Sequence, residues 1–114
     1  MSDDIFSETV RSSGDLAGVF EYDGETGYFY LCRLEDADDP KIIDSLPVVS
    51  GPIDFTENDV SILWDDTQTN VALFIRGTNW AVFDSVSNQK FGGNYKLGGG
   101  PAISLDAIFI RSVH

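Results

Sequence analysis

The sequence predicts one mainly β domain, a single antiparallel meander curled into a sandwich or an open barrel. Three observations carry this. Short runs rich in aromatic and β-branched residues recur along the chain, each bounded by Gly, Pro, Asn or Asp clusters. Helical patterning is weak almost everywhere. The 114 residues leave room for one small domain and not two, and neither a repeat nor a linker divides them.

In chain order, the best place for a helix is 4–10, with Ser2 or Asp3 as N-cap. Leu16–Tyr22 and residues 28–34 read as strands flanking Asp23-Gly24-Glu25-Thr26-Gly27, a hairpin loop. The acidic stretch 35–40 ends that hairpin, because Pro40 cannot donate to a ladder. Residues 42–49 are apolar but ambiguous, either a bent strand or one helical turn broken by Pro47. Val60–Trp64 is a strand, and 71–75 is a buried one. Arg76-Gly77-Thr78-Asn79 turns tightly into a strand over 80–84. Two Gly-rich segments bracket Tyr95, and 102–110 reads as a closing strand.

Charge narrows the function. The chain carries 19 acidic and 7 basic residues, a net charge of −12, yet 42% of it is hydrophobic. That is too apolar for a disordered acidic tail and describes a folded acidic module. Residues 1–66 hold 17 of the acidic residues against Arg11, Arg33 and Lys41, a net of −14; residues 67–114 carry a net of +2. Solubility does not require such segregation, and crowding like charges costs folding energy through self-repulsion. A protein this negative repels phosphates, so nucleic acid is not expected as a direct partner. The acidic start lacks the basic and apolar pattern of a secretory signal, and no apolar run is long enough to span a bilayer. The expectation is a cytoplasmic monomer without membrane contact.

Candidate chemistries fall away on inspection. Gly93 and Gly98 have phosphate-loop spacing, but Gly99 stands where the lysine belongs. Asp36, Asp38 and Asp39, or Glu21, Asp23 and Glu25, could offer oxygens to calcium, yet neither group has the twelve-residue loop pattern. Paired carboxylates could hydrolyse glycosides, but nothing singles out two of nineteen. Cys32 is the one cysteine and His114 the one histidine, which allows no internal disulfide and leaves almost no material for a structural zinc site or His-based catalysis. Cys32 reads as a buried thiol, and Trp64 and Trp80 as core. No enzyme, metal or cofactor is expected.

What remains is the acidic surface. A domain of this length is about 34 Å across, close to one turn of B-DNA at roughly 34–36 Å. Carboxylates at i and i+2 on a strand stand about 6.8 Å apart, near the spacing of neighbouring phosphates. Glu21, Asp23 and Glu25 have that sequence spacing, although the turn expected at Gly24 would disturb the row, and Glu35, Asp36, Asp38, Asp39, Asp65 and Asp66 would extend the same negative surface. The start Ser2-Asp3-Asp4-Ile5-Phe6-Ser7-Glu8 and the acid-loaded first half resemble bacterial DNA-mimic proteins of the small acidic kind that bind the histone-like nucleoid protein HU. The resemblance implies a non-enzymatic DNA mimic that competes with DNA for a basic partner. An immunity protein neutralising a basic toxin such as a nuclease is the alternative. Separately, Ile62-Leu63-Trp64-Asp65-Asp66, Ala72-Leu73-Phe74-Ile75 and Ala81-Val82-Phe83-Asp84 are similar to a family of uncharacterised small bacterial proteins.

Overall fold

These runs fold into eight strands in the computed structural model, which describes residues 4–34 and 41–95. β1 (Ile5–Val10), β2 (Leu16–Tyr22), β3 (Thr26–Arg33) and β4 (Lys41–Ser50) form one antiparallel meander. β5 (Val60–Trp64), β6 (Asn70–Ile75), β7 (Thr78–Asp84) and β8 (Gln89–Gly92) form a second, preceded by a 3-10 turn at Glu57–Asp59. The architecture is therefore a sandwich of two four-stranded sheets. The strand expected over 102–110 lies outside the described residues.

Three local readings change. Residues 5–10 are a strand and not the expected helix. Ile5, Phe6, Thr9 and Val10 fit a helical turn as well as a strand, and pairing decides: the ladder runs from Ile5 opposite Tyr22 to Val10 opposite Ala17 and buries Ile5. Residues 41–50 resolve into a strand despite Pro47, because β4 is an edge and Pro47 sits opposite Tyr28 at a register shift. Gln89–Gly92 is a further edge strand, paired with 81–84.

One core holds the sheets together. Side chains alternate across each strand, so Phe20, Tyr22, Phe29 and Leu31 point inward from the first sheet. Ile62, Trp64, Val71, Leu73, Trp80 and Phe83 meet them from the second. Phe29 and Phe83 meet across the interface, with centroids 5.0 Å apart. The approach depends on Gly18. A Cβ there would stand 2.7 Å from Val71 Cγ2 and 2.9 Å from Ile62 Cγ2, inside van der Waals contact.

Both edges of the first sheet are stitched to the second. On the β1 side, Trp64 Nε1 donates to the Thr9 carbonyl at 3.0 Å, and Phe6 N–H donates to Glu57 Oε1 at 3.3 Å. On the β4 side, Lys90 Nζ donates to the Ser45 carbonyl at 3.0 Å and Tyr95 N–H to the Val48 carbonyl at 2.6 Å. These contacts occupy part of each edge, where open backbone groups would otherwise template strand addition.

Gly18→Ala should therefore destabilise by about 1–3 kcal/mol, the usual cost of overpacking a filled core. Urea unfolding checks this. Unchanged stability would mean that the sheets have slack at this point.

Candidate functional site

The outer face of the first sheet is where the surface chemistry gathers. Opposite the inward set, Phe6, Glu8 and Val10 of β1 share a face with Ala17, Val19 and Glu21 of β2 and with Tyr28, Tyr30 and Cys32 of β3. At the centre, Ala17, Val19 and Cys32 are buried beneath Tyr30 and Leu34. Around them Phe6 is 55% and Tyr28 38% exposed. Tyr28 and Tyr30 are stacked, with ring centroids 6.0 Å apart and planes 20° from parallel.

Where this face meets the β2–β3 hairpin there is a groove of about 450 Å³. Its walls include Phe6, Tyr28, Tyr30 and the carboxylates of Glu21, Asp23 and Glu57, with Asp4 at one margin. Each carboxylate is placed by its element. Glu21 stands on β2 between Phe6 and Tyr28 in the cross-strand register. Asp23 closes the hairpin, its Oδ1 accepting the N–H groups of Thr26 at 2.8 Å and Glu25 at 2.9 Å; these backbone donors hold its carboxyl below the usual range. Gly24, at φ +98°, supplies the left-handed residue the turn needs. Glu57 is oriented by Phe6 N–H. Burial, and next to it the charge of Glu21, pushes the Tyr30 phenol up.

The acidic surface expected from the sequence is divided. Glu21, Asp23 and Glu25 gather at the hairpin end, joined by Asp4 and Glu57, which sequence reasoning passed over. They do not form an i, i+2 row, because Asp23 and Glu25 lie in the turn. Asp65 and Asp66 sit at the opposite end, where Arg11 Nη1 reaches the Gln68 carbonyl at 2.9 Å and Ser12 N–H donates to Gln68 Oε1 at 2.9 Å. Seven residues of β2, roughly 23 Å of strand, separate the two ends. Glu35, Asp36, Asp38 and Asp39 lie outside the described residues.

Asp65 is a correction of a different kind. It is fully buried and is no part of an acidic surface. Burial by itself would raise its carboxyl pKa. The Asn70 side chain (Nδ2 at 2.8 Å) and backbone, the Thr67 hydroxyl and the Thr69 N–H outweigh that and hold it below the usual range. Its task is to organise the β5–β6 loop.

Arg11, Arg76 and Lys90 are committed elsewhere. Arg11 forms a bidentate pair with Asp15 (2.6 and 2.7 Å) and lies over the Trp64 ring, 5.6 Å from its centroid. Arg76 holds Asp54 at 3.1 Å and Asp59 at 3.5 Å, and Lys90 holds Asp44 at 3.0 Å. Asp54 also accepts the Tyr95 hydroxyl at 2.7 Å; burial first, then this bond, leaves the phenol pushed up to about 12. Among the described residues, no cation pairs with Glu21, Asp23 or Glu57. Cys32, Trp64 and Trp80 are buried, as the sequence suggested. Burial pushes the Cys32 thiol up, reinforced by the charges of Glu8 and Glu21, so it is a poor nucleophile. Among the described residues, no three His, Cys, Asp or Glu side chains converge to hold a metal, and no helix is long and apolar enough to cross a membrane.

Asp65→Ala strands the donors of Thr69 and Asn70 and should cost about 1–3 kcal/mol at neutral pH. The folded carboxyl titrates below the unfolded value of about 3.9. Its contribution is therefore complete above roughly pH 4 and is lost as the pH falls through the folded value. The stability gap between wild type and variant should narrow between neutral and acidic urea titrations. A gap independent of pH would mean that the ionised form is not the acceptor.

The comparisons agree on a bacterial, uncharacterised kinship. The chain is 34% identical over 96 residues to an "Uncharacterized protein" of Haemophilus influenzae (strain ATCC 51907 / DSM 11121 / KW20 / Rd), a match covering 74% of this chain and 58% of that protein's length. No solved structure matches. The likeness to uncharacterised bacterial proteins, read above from the middle segment, stands at the level of a family match over residues 1–95. The chain belongs to the family described as "Uncharacterized protein conserved in bacteria (DUF2251)".

Proposed function

We propose that this protein is a non-enzymatic binding module, a DNA mimic. It sets carboxylates where a basic partner, expected to be a histone-like nucleoid protein, would find phosphates. The observation that carries this reading is the sorting of charge. Glu21, Asp23 and Glu57 gather around one groove without a cation among the described residues, while Arg11, Arg76 and Lys90 are engaged with other carboxylates. A folded surface that keeps uncompensated like charges together accepts a self-repulsion that a cationic partner would relieve. The described residues extend over 35 × 34 × 25 Å, which also matches about one helical turn of duplex DNA.

The module and DNA compete for the same face in this reading. Adding the protein to a histone-like protein bound to labelled DNA should release the DNA, and a ternary complex in a gel shift would contradict mimicry. Replacing Glu21, Glu25 and Glu57 together by Gln should weaken binding about threefold to a hundredfold, since exposed charge pairs are worth roughly 0.2–1 kcal/mol each. The loss should fall mainly on the association rate. Asp66→Asn, at the far end, is the comparison. An equal loss per charge from Asp66 would make net charge, and not this groove, the determinant.

A further inference from the structure

The exposed face beside the groove carries more than charge. Six large hydrophobic residues are exposed among the described ones, and five of them, Phe6, Val10, Tyr28, Ile42 and Ile43, belong to the first sheet. Of the residues that share this outer face on β1, β2 and β3, the charged ones are Glu8 and Glu21, both negative. Phe6 N–H and the Thr9, Ser45 and Val48 carbonyls on the edges of this sheet are already engaged, which disfavours docking by strand addition there and leaves the face itself to bind. A second copy of the chain is a poor occupant: it would bring another −12 and set Glu8 and Glu21 against their own kind.

We propose that the Tyr28–Tyr30 stack is an arginine platform, on which a guanidinium of the basic partner lies flat against the rings while Glu21 and Glu57 take its N–H groups. This rests on the reading of the partner as basic and adds which basic side chain the site selects. The geometry favours arginine over lysine. A planar guanidinium stacks on aromatic faces and spans two carboxylates, whereas an ammonium is a compact, strongly hydrated point charge. Tyr28 is exposed, Tyr30 stacked on it is half-buried, both line the groove with Glu21 and Glu57, and the groove is large enough for one long side chain. The same fold already uses this contact once, where Arg11 covers the Trp64 ring. Phe6 supplies an apolar wall for the methylene stem.

The test compares hexa-arginine and hexa-lysine peptides of equal charge by calorimetry at one salt concentration. The arginine peptide should bind about threefold to tenfold more tightly. Tyr28→Leu with Tyr30→Leu should erase most of that preference while leaving lysine-peptide binding nearly intact. Tyr28→Phe with Tyr30→Phe, which keeps the ring faces, should retain it. Equal binding of the two peptides to the wild type would overturn the platform and leave charge-driven docking standing. Because that comparison uses unaltered protein, it holds even if the leucine variant fails to fold. A preference unchanged in a folded leucine variant would also overturn the platform. Binding of neither peptide would overturn both this inference and the reading it rests on.

Discussion

Close contact between the two sheets at Gly18 is the constraint from which the rest of the structure follows. Without a side chain at that point, Val71 and Ile62 come up against β2, and Phe29 reaches Phe83. Once the inner faces are committed to each other, the outward alternation of every strand is fixed, because a register slip of one residue would exchange the two faces. Phe6, Glu21, Tyr28 and Tyr30 are therefore outside for the same reason that Ile5, Phe20, Phe29 and Leu31 are inside.

Electrostatics then divides the surface. Seven basic residues cannot neutralise nineteen acidic ones, so position decides which carboxylates are compensated. Arg11, Arg76 and Lys90 tie Asp15, Asp54 and Asp44. The Arg76 and Lys90 pairs lie where loops or strands of different parts of the chain meet, and Lys90 also caps the free edge of β4. At the hairpin end, no cation among the described residues pairs with Glu21, Asp23 or Glu57. Asp65 shows the opposite solution: a buried carboxylate satisfied by neutral donors within its own loop.

Much of this fold is legible in the sequence. β2 and β5 were read to the residue, because dense aromatic and branched runs between turn residues leave little choice. The misread segments, β1 and β8, are both edge strands, half covered and so weakly patterned; β8 is only Gln89–Gly92. The candidate site was half legible. Composition marked Glu21, Asp23 and Glu25, but distance between the two ends of a sheet has no signature in a list of acids. Asp65 carried a missed signal: an Asp ending a strand, followed by Thr67, Thr69 and Asn70, is the pattern of a loop closed on its own carboxylate. Glu57 had one too, since Thr56 and Asp59 form the reciprocal capping pair that places it in a first turn. The stacking of Tyr28 on Tyr30 follows from strand alternation, but the exposure of Tyr28 depends on what covers the sheet.

The central claim is that binding happens on the outer face of the first sheet, at its hairpin end. Titrating isotopically labelled protein with a histone-like nucleoid protein and following side-chain NMR shifts tests this most directly. The account predicts that the largest shifts cluster on Phe6, Glu21, Tyr28, Tyr30 and Glu57, with little change at Asp66 and Gln68. Shifts centred on the β5–β6 loop, or on the Leu63 and Phe74 face of the second sheet, would contradict it.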